Sequence, residues 1–215
     1  KKRNGNTAYF FSYRHIQDAI MEDRKEDRMW AINYYSNKIR EYKNYLDQIE
    51  LLFHQSISNP KDKHVENFMN LCNQIGQAKI GFIRLIDIGE QLAPEFEHNK
   101  MLSASLQGII ANLYYYYLKD FERAEVHLNR VLQLREDLAK RNPEAFNSDL
   151  AGTLNNLGNL CKDLMDFVKA EEYYNRALQL YEDLAKRNQE AFNSDLAMTL
   201  NNLGNLYLDM MDFEK

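Results

Sequence analysis

The sequence predicts an all-α fold, a right-handed superhelix of antiparallel helix hairpins stacked as a solenoid. Three observations carry this. The string "TLNNLGNL" stands at residues 153–160 and again, unchanged, at 199–206, which is 46 residues on. Residues 120–165 laid over 166–211 agree at 34 of 46 positions, so the period marks a structural unit. Only 8 Gly and 3 Pro occur in 215 residues, too few for a chain built from many tight turns.

Within one unit, Ala170, Tyr173, Tyr174, Ala177, Leu178, Tyr181, Leu184 and Ala185 follow the i, i+3, i+4, i+7 spacing that paints one face of a helix. This is helix B. Leu154, Leu157, Gly158, Cys161 and Leu164 form a shorter stripe of the same kind, helix A, with Ser148 or Asp149 placed to cap its start. "DLMDF" between A and B is short enough to force an antiparallel pair. "RNPEAFNSD" joins B to the next A, and Pro143, which lacks an amide hydrogen, ends helix B there. The next copy has Gln189 in place of that proline, which leaves Asn188 to make a softer break.

Backwards the repeat fades. Ala78, Arg84, Ile86, Ile88, Glu90, Leu92 and Ala93 sit two periods before Ala170, Arg176, Leu178, Leu180, Glu182, Leu184 and Ala185. The expected array therefore covers residues 61–215 and stops in mid-repeat, where "DFEK" (212–215) begins another copy. Residues 1–60 read as an N-terminal helical hairpin, either a degenerate repeat or a cap. In it, Ala31, Tyr34, Tyr35, Ile39 and Tyr42 echo the spacing of helix B. The polar stretch "SISNPKDKH" (56–64) separates the two parts.

The segment "LGNLCKDLMDFVKAEEYYNRAL" resembles a tetratricopeptide repeat, with Leu157, Gly158, Cys161, Phe167, Ala170, Tyr174 and Ala177 on the consensus positions. It departs in having no proline after "ALQL", so helix B runs on and the usual repeat of about 34 residues lengthens. Long units of this kind are similar to those of kinesin-light-chain-like and bacterial tetratricopeptide proteins. The resemblance implies a non-catalytic scaffold whose A helices line a concave groove that takes a protein or extended peptide segment. The groove residues it implies are Asn155, Asn156, Asn159, Asn201, Asn202 and Asn205. Each Asn costs a helix about 0.5 kcal/mol relative to Ala, and an amide that both donates and accepts suits the peptide groups of an extended ligand. Inter-repeat bonding is the competing role. "YYYY" (114–117) ends the preceding helix A. The family register turns Tyr116 or Tyr117 to the groove and leaves Tyr114 and Tyr115 to packing.

In one branch of the family, cations at these positions clamp a terminal carboxylate. Here they are Gly152, Asn155, Asn156 and Asn159, then Met198, Asn201, Asn202 and Asn205, which argues for an internal segment as ligand. Two alternatives stand beside that reading. One is a regulatory peptide sensor with its effector region elsewhere, and the other is a homo-oligomer formed through the last helix, where Leu200, Leu203, Leu206 and Met210 lack a following helix B.

No catalytic, metal or cofactor set is expected. His15, His54, His64, His98 and His127 show no metal spacing, and "GQAKIGF" (76–82) lacks the lysine of a phosphate loop. The net charge of −5 and the acids interleaved in "EDRKEDR" (22–28) point away from nucleic acid. There is no run of about 18 apolar residues to span a membrane. Cys72 and Cys161 fit buried positions, and two cysteines without a framework suit a reducing compartment such as the cytoplasm without fixing it.

Overall fold

The computed structural model describes residues 82–213 as a continuous run, with scattered positions between 48 and 70. The chain divides into two compact units, Lys1–Leu71 and Cys72–Lys215. In the first, the described residues are helical and include buried Phe53 and His54. The expected hairpin over 1–60 otherwise lies outside the described residues, as does Cys72.

The second unit is an all-α solenoid. Helix α1 (Phe82–Leu92) runs into a 3-10 turn, Ala93–Phe96. Helix α2 (Lys100–Asn112) continues into a π-helical segment, Leu113–Leu118. Then follow α3 (Phe121–Arg141), α4 (Pro143–Asp163), α5 (Phe167–Arg187) and α6 (Gln189–Phe213). Helices α2, α4 and α6 are of type A, and α1, α3 and α5 are of type B. Each packs on its neighbour in sequence, and α4 also touches α6.

The connections explain the long period. Helices α3, α4 and α5 are each 21 residues. A single residue, Asn142, links α3 to α4, and three residues, 164–166, link α4 to α5. Helix A thus starts earlier than its apolar stripe suggested. The N-cap is Asn142, not Ser148 or Asp149, and "PEAFNSD" is the first two turns of the helix. Asn142 stops one helix and starts the next. Its φ of −145° and ψ of 83° leave the helical region, its amide bonds back to Leu138, and its side chain accepts from the Ala145 amide at 3.2 Å. Asn188 does the same with φ −148°, ψ 88° and a 3.1 Å bond from Ala191. The break before Gln189 is therefore as sharp as the one before Pro143, because the cap and not the proline makes it. Replacing Asn142 or Asn188 by Ala is expected to cost about 1 kcal/mol each, read from urea denaturation. A loss confined to Asn188 would show that Pro143 carries the first break after all.

The A-to-B turns have their own repeated device. Met165 sits in the left-handed region at φ 62° and Lys119 at φ 55°, one period apart. At Met165 the Asp166 amide bonds to the Cys161 carbonyl and the Met165 amide to Lys162, the paired bonds of a Schellman C-cap. Asp120 and Asp166 then cap α3 and α5 by accepting from the amides of Arg123 and Lys169. The reversal is thus built from backbone bonds and one aspartate.

Between helices, small residues set the spacing. Ala170, Tyr174 and Ala177 of α5 are fully buried. Tyr174 centres a cluster with Cys161, Ala170, Leu203 and Leu206, which ties α4, α5 and α6 together. Leu150 and Leu154 join Ala139 and Ala177 in the layer below. At Gly158, an added Cβ would lie 2.5 Å from the Tyr174 ring, so the ring occupies the space a side chain would need.

Candidate functional site: the A-helix face

On α4, positions 152, 156, 159 and 163 recur at helical spacing and so share one face. Asn156 and Asp163 are exposed there, and Gly152 and Asn159 are half-buried. One period on, α6 presents Met198, Asn202, Asn205 and Asp209; Met198 and Asn205 are exposed, Asn202 and Asp209 half-buried.

The first A helix follows a shifted register. The buried residues Ser103, Ala104, Leu106, Ile110 and Leu113 match buried Leu150, Ala151, Thr153, Leu157 and Leu160 at a spacing of 47, not 46. After the segment Leu113–Leu118, the spacing returns to 46, with Lys119 over Met165 and Asp120 over Asp166. The π-helix absorbs the extra residue. With that shift applied, the α2 face holds Ser105, Ile109, Asn112 and Tyr116. Asn112 is exposed, and it lines up with Asn159 and Asn205 as one amide per repeat. It was not among the residues expected at the groove, because a fixed period of 46 passes over it. The signal was present in the sequence: "NLYYYYLKD" is one residue longer than "NLCKDLMD".

Not every expected asparagine reaches this face. Asn155 is 2% exposed and cannot touch a ligand. It points from α4 toward α6, where its Nδ2 donates to the Thr199 hydroxyl at 2.7 Å, and Thr199 donates on to the Asp195 carbonyl at 2.9 Å. Asn155 is therefore an inter-repeat clasp, and its Oδ1 is buried without a partner. Asn201, its counterpart on α6, is exposed but shares that packing direction. Asn159 lies on this face, half-buried, with its Oδ1 already accepting from the Tyr174 hydroxyl at 2.7 Å. Tyr116 and Tyr117 are both exposed, whereas Tyr114 is buried and Tyr115 half-buried.

One edge of the face carries a second ladder. The Tyr115 hydroxyl donates to Asp163, and the Lys162 ammonium meets Asp209 at 3.2 Å. Tyr115 and Lys162 are equivalent in the shifted register, as are Asp163 and Asp209 in the plain one. Each acid is thus bonded to the previous A helix, and the face between is lined by amides. Burial pushes the Tyr115 and Tyr174 hydroxyls above their ordinary range, with nearby acids adding to it, so both are donors at neutral pH. Burial raises the Cys161 thiol to about 11, and it is inert as a nucleophile.

Beneath α2 lies a polar cluster. The His127 ring stacks on Tyr114 at 5.5 Å, with Nδ1 2.6 Å from Gln107 Oε1 and Nε2 3.8 Å from Glu90. Tyr114 donates to Glu90 and receives a bond from Arg123 at 3.4 Å. Desolvation lowers the His127 pKa, with Glu90 only partly opposing it. The unfolded chain then takes up the proton first, so stability is lost as the pH falls through about 6.5 toward the lower folded value. His127→Gln is expected to flatten that dependence in melts run between pH 7.5 and 5. A parallel pH profile in the variant would place the effect elsewhere.

Among the described residues no group of His, Cys, Asp and Glu could hold a metal ion, and no helix is long and apolar enough to cross a membrane.

The tetratricopeptide-repeat family model matches residues 151–184. That span covers most of α4, the Met165 turn and most of α5. The chain carries a tetratricopeptide repeat. Of solved structures, the crystal structure of BtubC (BKLC) from P. vanneervenii matches at 18% identity and a TM-score of 0.52, over 90% of this chain and 68% of that one. This likeness is one of helical-repeat fold. No curated protein matches the chain. Tetratricopeptide repeats suggest a protein–protein interaction scaffold, and the family is typically non-catalytic.

Proposed function

We propose that the chain is a non-catalytic scaffold whose A-helix face binds an extended segment of a partner protein. The observation that carries this reading is the line of Asn112, Asn159 and Asn205, one amide per repeat, flanked by Asn156 and Asn202. Tyr116 and Tyr117 form an aromatic wall at the α2 end. Neutral amides that donate and accept match a peptide backbone, and exposed tyrosines supply the anchors that peptide grooves use. The same face carries no free row of cations, which favours an internal segment over a chain terminus. Asn155 is left out of the site because it is sealed in the packing.

The test begins with peptides selected from a displayed random library against the whole chain. A variant with Asn112, Asn156, Asn202 and Asn205 replaced by Ala should keep its helix content and melt at the same or a slightly higher temperature, since each replacement gains helix propensity. Its affinity for the selected peptides should fall tenfold or more. Unchanged affinity would remove the A-helix face as the site.

A further inference from the structure

Gly152 lies in the interior of α4, where glycine costs a helix about 1 kcal/mol relative to alanine. Packing does not explain it. A Cβ built at Gly158 would strike the Tyr174 ring, whereas one at Gly152 would meet only the Tyr181 hydroxyl, at an ordinary contact distance of 3.6 Å. Tyr181, on α5, is 3% exposed, yet its hydroxyl is neither sealed nor bonded to any group among the described residues. Half-buried Arg135, on α3, reaches the same turn of α4, where its Nη1 donates to the Asp149 carbonyl and to the Thr153 hydroxyl, both at 2.8 Å. No carboxylate pairs with it among the described residues, which leaves the Nε and Nη2 hydrogens of the guanidinium without a bond there. Gly152 shares the amide-bearing face with Asn156 and Asn159. One period on, Met198 replaces it, so the opening is particular to α4.

We propose that Arg135, Tyr181 and Gly152 form a subsite of the A-helix face that takes a side-chain amide, from glutamine or asparagine, of the bound segment. This rests on the reading of that face as the peptide site. Two donors, the guanidinium and the phenol, converge on the Gly152 turn, so the occupant must present an acceptor oxygen. Burial, with Asp195 and Asp149 adding to it and Arg135 opposing it, pushes the Tyr181 hydroxyl up to about 12, so it donates at neutral pH. The same acids decide the charge of the occupant. Asp149 and Asp195 both act on the hydroxyl and the Arg135 charge offsets only one of them, so an incoming carboxylate would be repelled where a neutral amide is not. An amide also carries two N–H groups, which exposed Asp149 can accept. A main-chain carbonyl fits less well, because the phenol is set into the face and a side chain reaches down to it over the glycine.

Peptides selected from a displayed random library against the whole chain are expected to share one glutamine or asparagine. In titrations followed by fluorescence anisotropy, replacing that residue by alanine, or by its acidic counterpart, should weaken binding about fivefold or more. Tyr181→Phe should weaken the parent peptide by a similar factor and leave the alanine peptide unaffected, a non-additivity that a purely structural role would not produce. Gly152→Ala should melt at the same or a higher temperature and still bind the parent peptide several-fold more weakly, because its methyl group stands before the hydroxyl. Circular dichroism checks that each variant keeps its helix content. Peptides without a shared amide, an acidic residue favoured at that place, or parent affinity unchanged by Tyr181→Phe would overturn the inference. Loss of binding on replacing Asn112, Asn156, Asn202 and Asn205 by Ala, with Tyr181→Phe and Gly152→Ala both silent, would keep the A-helix face as the site and remove this subsite alone. Binding that survives all of these changes, or a library that yields no binder, would remove both.

Discussion

Gly158→Ala is expected to destabilise the chain by about 1–3 kcal/mol, and Gly204→Ala to stabilise it by up to about 1 kcal/mol. The two glycines hold the same repeat position, in the same eight-residue string, within helices of the same type. Propensity alone would favour alanine at both. The difference lies in what faces them. At Gly158 the new Cβ would be 2.5 Å from Tyr174 Cε1 and 2.6 Å from Cδ1, and that ring is wedged among Cys161, Ala170, Leu203 and Leu206. It cannot swing away without opening the cluster, so α4 and α5 must part. At Gly204 the Cβ enters open space, and only the loss of backbone freedom in the unfolded chain is felt. Urea titrations of the two variants beside the parent provide the check. Equal losses at both positions would mean that Gly204 is covered in solution, and equal gains would mean that the α4–α5 contact is looser than the Gly158–Tyr174 distances imply.

The repeat and its helix pairs were legible because burial of one helix face imposes a period that composition cannot hide. Their limits were less so. Ser148 and Asp149 are good caps by type, yet Phe146 continues the apolar stripe upstream of them and packs in the layer with Leu150 and Leu154. The true cap, Asn142, was obscured by the conspicuous proline beside it. The site divided in a similar way. Asn155 and Asn156 are neighbours in sequence and separated by about 100° around the helix, which is enough to bury one and expose the other. Which of them faces the next A helix depends on how α4 and α6 are rotated against each other, and the residue types at those two positions are identical. Asn112 was missed for another reason: the π-helix after it shifts the register by one residue, and a period counted from the two clean repeats runs past it.

Tyr174 connects the packing of α4 on α5 with the proposed binding face, and its variants separate the two. Tyr174→Ala is expected to cost about 3–5 kcal/mol, since the ring is fully buried and leaves a cavity against Gly158 that the rigid helix cannot fill. Tyr174→Phe keeps the ring and deletes one hydroxyl, which should cost about 0.5–1.5 kcal/mol. That hydroxyl does more than stabilise. By donating to Asn159 Oδ1 at 2.7 Å it occupies the acceptor of that amide and fixes its two N–H groups as what remains to be offered. A double-mutant cycle of Tyr174→Phe with Asn159→Ala should show a coupling of about 0.5 kcal/mol or more in stability, as contacting residues do. If peptides bind the A-helix face, Tyr174→Phe should also weaken them several-fold without altering the helix content. Zero coupling would show that the bond does not persist in solution, and the fixed orientation of Asn159 would go with it.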